Sequence, residues 1–347
     1  MAHTQILKGK TQIHIKAEAS PYTYDAPDND GTGIIIVNDD VSITVDGGPM
    51  DNNVLRGDFL RMARSKGQHS ITISFSVPLK GSAAAGTPPE WTEAARMCGC
   101  LIFDNGTTST VVTPTSSFSG TAGSNLFPEE SYSMTVLNDG TAHGMANGYG
   151  NMKLVAEVDS VPRLEFTMSG RYQAYADDGV EDASASYDAQ IAQPFLGVSM
   201  TSNFGGAYTV VACSAISVDL GNVIAMGRDA AIHTGGTQAN ATGNYGARIT
   251  GHHVTGSVTM EKRLQATGGA DFYGHAAAAT VGSFLTGTVG ATAGNKWVLS
   301  IPTCTVGFPT EGDNDGIMTW EIPFDAHVPV TIDEDTQASA DFNLTIT

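Results

Sequence analysis

Period-two alternation of apolar and polar residues recurs along the chain, in an order that is used twice. "VSITVD" (41–46) places Val41, Ile43 and Val45 on one face. "SITISFSVPL" (70–79) does the same with Ile71, Ile73, Phe75 and Val77. "RLEFTMSGRY" (163–172) sets Leu164, Phe166 and Met168 together, and "IMTWEIPF" (317–324) sets Met318, Trp320, Ile322 and Phe324 together. Each pattern predicts a strand with one buried face, because successive side chains of a strand point to opposite sides. Asn138-Asp139-Gly140 predicts a tight turn, since these residues tolerate positive φ.

One segment predicts a helix instead. In "LKGSAAAGTPPEWTEAARMCGC" (79–100), Thr87 and Glu90 stand at capping-box spacing and Pro88 falls at the first helical position. Trp91, Ala94, Ala95 and Cys98 follow at i, i+3, i+4 and i+7, one apolar stripe, with Gly99 as the stop. The expectation is a helix of about three turns that lays Trp91 and Cys98 against a sheet.

The pieces then reappear. "SITVDGGPMDNNVLRGD" (42–58) resembles "AISVDLGNVIAMGRD" (215–229), with Asp46 answering Asp219 and Arg56 answering Arg228. "HSITISFSV" (69–77) resembles "HVTGSVTM" (253–260). The helix has a counterpart in "GGADFYGHAAAAT" (268–280), where Phe272, His275, Ala276 and Ala279 form a similar stripe. Each half closes on an alternating strand, 163–172 in one and 317–324 in the other. Four matches in one order predict two copies of one β-rich unit. The expected division is an N-terminal arm at 1–40, a first domain at 41–175, a linker at 176–208, a second domain at 209–328 and a C-terminal arm at 329–347. "ADDGVEDASASYDAQ" (176–190) forms the acidic core of the linker.

Composition agrees with strands and turns. The 347 residues include 40 Gly, and 41% are apolar, enough for a real core. The formal charge is −19, from 36 acidic and 17 basic side chains. No Lys or Arg occurs from Tyr172 to Gly227 or after Lys296. Such a chain is expected not to grip nucleic acid, which carries about one negative charge per 1.7 Å of duplex, nor an anionic membrane. No run of 18 apolar residues predicts a transmembrane helix, and "MAHTQILKGKTQIHIKAE" lacks the apolar core of a signal peptide.

Catalytic and metal patterns are weak. Cys98, Cys100, Cys213 and Cys304 match no zinc spacing, and Cys98 and Cys100 stand too close for an ordinary disulfide. They are expected to be reduced thiols, with Cys98 buried as a small apolar residue. His252 and His253 precede a strand and point to opposite faces. Two "DNDG" runs, Asp28–Gly31 and Asp313–Gly316, lack the acidic twelfth ligand of a calcium loop and predict acidic turns. "HTGGTQANATGNYG" (233–246) lacks the Lys-Ser/Thr of a phosphate loop and predicts a long connection. No cofactor, no metal site and no catalytic residue is expected.

The order of the pieces resembles the tail tube (major tail) proteins of long-tailed, non-contractile bacteriophages. The residues that carry the resemblance are "VPLKGSAAAGTPPEWTEAARMCG" (77–99), "SVPRLEFTMSGRY" (160–172) and "GATAGNKWVLSIPTCTVGFPTEGDNDGIMTWEIPF" (290–324). It covers most of 41–328. The resemblance implies a mainly β fold: two tandem β-sandwich or barrel-like tail-tube domains, each flanked by one short α-helix. It implies no enzyme, but a virion protein made in the host cytoplasm that forms the tail tube. Three copies would make a pseudo-sixfold ring, and rings would stack around a channel through which DNA passes without specific binding. A tape measure protein, a tail terminator and tail tip proteins are the further partners it implies. Trp91, Cys98, Phe272 and Trp320 are then helix and core residues, and Glu165 and Glu321 are candidates for an acidic channel wall. Loops 47–68 and 229–250 are expected to make ring-to-ring contacts. Competing expectations are a decoration or receptor-binding virion protein, and a β-rich hydrolase built on paired carboxylates among Glu157, Glu165 and Glu321.

Overall fold

The alternating segments form strands in a computed structural model of the chain. It describes residues 8–19, 23–26, 33–48, 69–106, 108–114, 131–173, 175–179, 182–183, 187, 190–204, 207–228, 244–263, 270–327 and 341–347. In chain order come β1 (Thr11–Ala17), β2 (Ile34–Ile35), β3 (Ser42–Asp46), β4 (Ser70–Pro78), α1 (Thr92–Met97), β5 (Cys100–Asp104), β6 (Thr110–Pro114), β7 (Tyr132–Asn138), β8 (Gly140–Glu157), β9 (Arg163–Tyr172) and β10 (Ala176–Gly179). These are followed by β11 (Met200–Phe204), β12 (Ala207–Val211), β13 (Cys213–Asp219), β14 (Val223–Arg228), β15 (Asn244–Gly251), β16 (Thr255–Glu261), α2 (Phe272–Ala277), β17 (Val281–Thr286), β18 (Trp297–Val306), β19 (Thr310–Asn314), β20 (Ile317–Ala326) and β21 (Asn343–Ile346). The protein is mainly β, with a large antiparallel sheet and, among the described residues, two short α-helices. Among the described residues only β14 and β15 pair outside that sheet, antiparallel to each other.

The pairings run in two parallel successions. In the first, β1 pairs with β7, β7 with β8, β8 with β9, β9 with β4 and β4 with β3. In the second, β11 pairs with β17, β17 with β18, β18 and β19 with β20, β20 with β16 and β16 with β13. β8 then pairs with β13, so one ladder runs from β3 through β4, β9, β8, β13, β16 and β20 to β19.

Alternation decides which face is buried. Ile71, Ile73, Phe75, Leu164, Phe166, Met168, Ile322 and Phe324 all enter one continuous apolar core. Two expectations from the same rule are corrected. Val45 is 44% exposed and Met318 is 48% exposed. β3 is a ladder end with a neighbour only on the β4 side among the described residues, and Met318 sits near the tip of the β19–β20 hairpin. A pattern that predicts a half-buried strand cannot say whether a covering layer is supplied by the same chain.

The expected three-turn helix is also corrected. α1 begins at Thr92, no side chain caps it, and Trp91 occupies the N-cap position. The tandem Pro88-Pro89 restricts the backbone before the helix. A turn closed by Thr92 N–H donating to Pro89 O at 3.0 Å takes the place of the capping box. Glu90 instead pairs with Lys80 at 2.9 Å. Trp91, Ala94, Ala95 and Cys98 are nevertheless buried together, and Trp91 Nε1–H donates to Lys80 O at 2.8 Å. Gly99 ends the turn with φ +77°. α2 is better capped, with Gly274 N–H donating to Asp271 Oδ1 at 2.9 Å, and it buries Phe272 against Phe204 and Trp320.

The first and last described segments are stitched into this body. β21 lies between β6 and β18 and pairs with both, burying Phe342, Leu344 and Ile346. After β1, the Glu18 carboxylate is buried and accepts hydrogen bonds from Ser131 Oγ, from Ser133 Oγ at 2.8 Å and from Asn147 N–H at 2.7 Å. Those donors answer the cost of removing a charge from water.

Candidate assembly face and sheet edges

The ladder from β3 to β19 has a buried face and an open one. Residues directly opposite in an antiparallel pair share a face. From Ser76 the row crosses Glu165, Lys153, Asp219 and Thr255 to Asp325. Glu321 lies four positions from Asp325 on β20, so Glu165 and Glu321 share the open face. Between them stand Arg163, Val155, Ser217, Ser257, Thr259 and Pro323, all exposed or half-buried. A shallow depression of about 370 Å³, lined by Lys153, Ser217, Asp219, Thr255, Pro323 and Asp325, crosses the line where β8 meets β13.

Charge on this face is mostly acidic and partly paired. Arg163 Nε–H donates to Glu165 Oε1 at 2.8 Å, and His253 Nε2 stands 3.8 Å from Asp325 Oδ1. At the far edge, the Lys262 ammonium bonds to Glu311 and holds its carboxyl below the usual carboxylate range. The same ammonium sits 5.5 Å from the centre of the Trp320 ring. Glu157 and Glu321 occupy one row, separated by β13 and β16. Three strand spacings place them about 14 Å apart, beyond the ~5–9.5 Å that paired glycosidase carboxylates span.

The β8–β13 joint is fastened by more than its ladder. Asn151 Nδ2–H donates to Asp219 Oδ1 at 2.7 Å, and Gly221 N–H donates to the same oxygen at 2.8 Å. Asn222 Nδ2–H reaches Cys98 O at 2.7 Å and Gly150 O at 2.9 Å, tying β13 to the end of α1. Gly221 has φ +61°, and a Cβ there would meet His253 O at 2.3 Å, so the turn requires glycine. The repeat of Asp46 as Asp219 pointed to this place, but nothing local pointed to Asn151 or Asn222.

Both ends of the ladder are open among the described residues. β3 is paired only on its β4 side and β19 only on its β20 side. All of β19 is exposed. Ile216 and Val218 of β13 are each 1% exposed, whereas their counterparts Ile43 and Val45 of β3 are half-buried and exposed. The two strand successions are also staggered. Asp219 comes level with Glu165 on β9, whereas Asp46 comes level with Arg171, six positions further along that strand.

Cys98, Cys100, Cys213 and Cys304 are free thiols, and burial raises the pKa of each, to about 12 for Cys213 and Cys304. His252 is mostly buried beside Asp341 at 3.4 Å, while the side chain of His253 is 67% exposed, so the pair does diverge. Asp313–Gly316 is the β19–β20 turn, closed by Gly316 N–H donating to Asp313 Oδ1 at 2.9 Å. Asp28–Gly31, Arg56 and most of loop 47–68 lie outside the described residues, as do 229–243. Residues 244–250, expected in a loop, belong to β15 and pair with β14. Among the described residues no cluster of three His, Cys, Asp or Glu could hold a metal, and no helix is long and apolar enough to cross a membrane.

No protein-family model matches the chain, and no curated protein matches it.

Proposed function

We propose that this chain is a virion structural protein of the tail-tube type. It carries two tandem tube units, and three copies close a ring that stacks into a channel for DNA. The observation that carries the reading is the doubled succession of pairings joined by β8–β13 into one ladder, whose end strands β3 and β19 are each paired on one side only among the described residues. A chain whose two units already join edge to edge, and which leaves one edge of each kind open, is built to continue the joint with further copies.

The open face is the candidate channel wall, since the other face is occupied by the core. Apart from Lys153 and the Glu165-paired Arg163, the face carries small hydroxyl side chains and carboxylates such as Glu321, which offer phosphates little to bind. Fixed negative charge there repels a passing duplex over about 8 Å at physiological ionic strength. The segments that follow β3 and β13, the second carrying the β14–β15 pair, leave corresponding ends of their strands, where ring-to-ring contacts are proposed. Negative-stain microscopy of the purified protein tests the reading. Hollow tubes or threefold rings support it, while discrete globular particles at every concentration favour a decoration or receptor-binding role.

A further inference from the structure

We infer that the contact between copies repeats the register of the internal β8–β13 joint, so that β19 of one chain pairs antiparallel with β3 of the next, Asn314 opposite Thr44 and Gly312 opposite Asp46. This rests on the ring reading above and specifies its interface.

The register follows from two correspondences. Asp46 ends β3 opposite Ser70, as Asp219 ends β13 opposite Thr255. Ser70 is opposite Arg171, as Thr255 is opposite Asp325, which equates β9 with β20 and Glu165 with Thr319. Glu165 faces Lys153 of β8, and Thr319 faces Gly312 of β19, so Gly312 stands where Lys153 does. Within the chain Lys153 pairs with Asp219 and Val155 with Ser217. Carried to the next copy, Gly312 pairs with Asp46 and Asn314 with Thr44. The same shift puts the Thr310 hydroxyl where the Asn151 amide sits, as a donor to the next copy's Asp46. It also places a strand beside Ile43 and Val45, whose counterparts are buried in the internal joint.

The stagger agrees with closure. Six residues of offset for every four strands correspond to a strand tilt of about 45°, near the upper end of the range that closed barrels adopt. Eight ladder strands from each of three chains make 24. At that tilt and strand spacing they enclose a barrel about 50 Å across between opposing backbones, wide enough for a DNA duplex.

Disulfide trapping in the full chain tests the register. Thr44→Cys with Asn314→Cys, and separately Asp46→Cys with Gly312→Cys, place thiols on facing positions within bridging range. The edges are seven strand spacings apart within one chain, about 34 Å, so no intrachain bond can form. Mild oxidation of assembled protein should give covalent trimers with both pairs. Thr44→Cys with Thr310→Cys, displaced by four residues, should cross-link at least tenfold more slowly. Rings that assemble but cross-link in neither facing pair, or best in the displaced pair, overturn the register and leave the ring reading standing. Unmodified protein that forms no ring overturns both.

Discussion

Lys153 of β8 lies directly opposite Asp219 of β13, at the seam where the first strand succession meets the second. The counterpart of Asp219 is Asp46, on a strand that has no partner on its outer side among the described residues. The same carboxylate-tipped strand thus occurs once joined and, among the described residues, once open.

Trp91 is 1% exposed and fills the space between α1 and the sheet. Trp91→Ala should cost about 3–5 kcal/mol through the cavity it leaves. Trp91→Phe loses the hydrogen bond to Lys80 O but keeps most of the volume, and should cost about half as much. Denaturant unfolding of both variants checks the order, and unchanged melting of the alanine variant contradicts this placement.

Removing residues 341–347 should lower stability by at least about 5 kcal/mol, since Phe342, Leu344 and Ile346 each contribute roughly 1.5–3 kcal/mol on burial. It also uncovers the facing edges of β6 and β18, which invites aggregation. Light scattering during thermal melting reads both effects. A truncated chain that melts as the full chain does contradicts the bridging role of β21.

His14 is 1% exposed, and burial lowers its pKa below the ordinary histidine value of 6.5, more than Asp182 raises it. The unfolded chain therefore binds this proton more readily. The stability contributed by neutral His14 is present in full above pH 6.5 and is lost as pH falls from there towards the folded pKa. His14→Gln should flatten the fall in melting temperature between about pH 6.5 and 5. An unchanged slope would show that other groups dominate that window.

The four thiols are held protonated by burial. At pH 8 in the native state they should react with a thiol reagent at least a hundredfold more slowly than in denaturant, because the thiolate is the reactive form. Prompt modification of Cys98 or Cys100 in folded protein would contradict their packing.

Much of this architecture was legible in the residues. Alternation located β3, β4, β9 and β20; β4, β9 and the inner part of β20 bury about one side chain in two, whereas no side chain of β3 is fully buried. The Asp46 and Asp219 segments matched because their strands occupy like places in the two successions. The exposure of Val45 and Met318 was not legible, since alternation reports a face and not what covers it. Nor were the β8–β13 joint, the seat of β21 or the Glu18 network, which depend on contacts between residues 60 to more than 200 positions apart. The short α1 reflects a tandem proline that no stripe of apolar residues could reveal.

Two units per chain should close a ring with three copies. Native mass spectrometry of rings released from the assembled protein should therefore give a mass of three 36.1-kDa chains. A ring of six chains, or a chain that stays monomeric at every concentration, would contradict it.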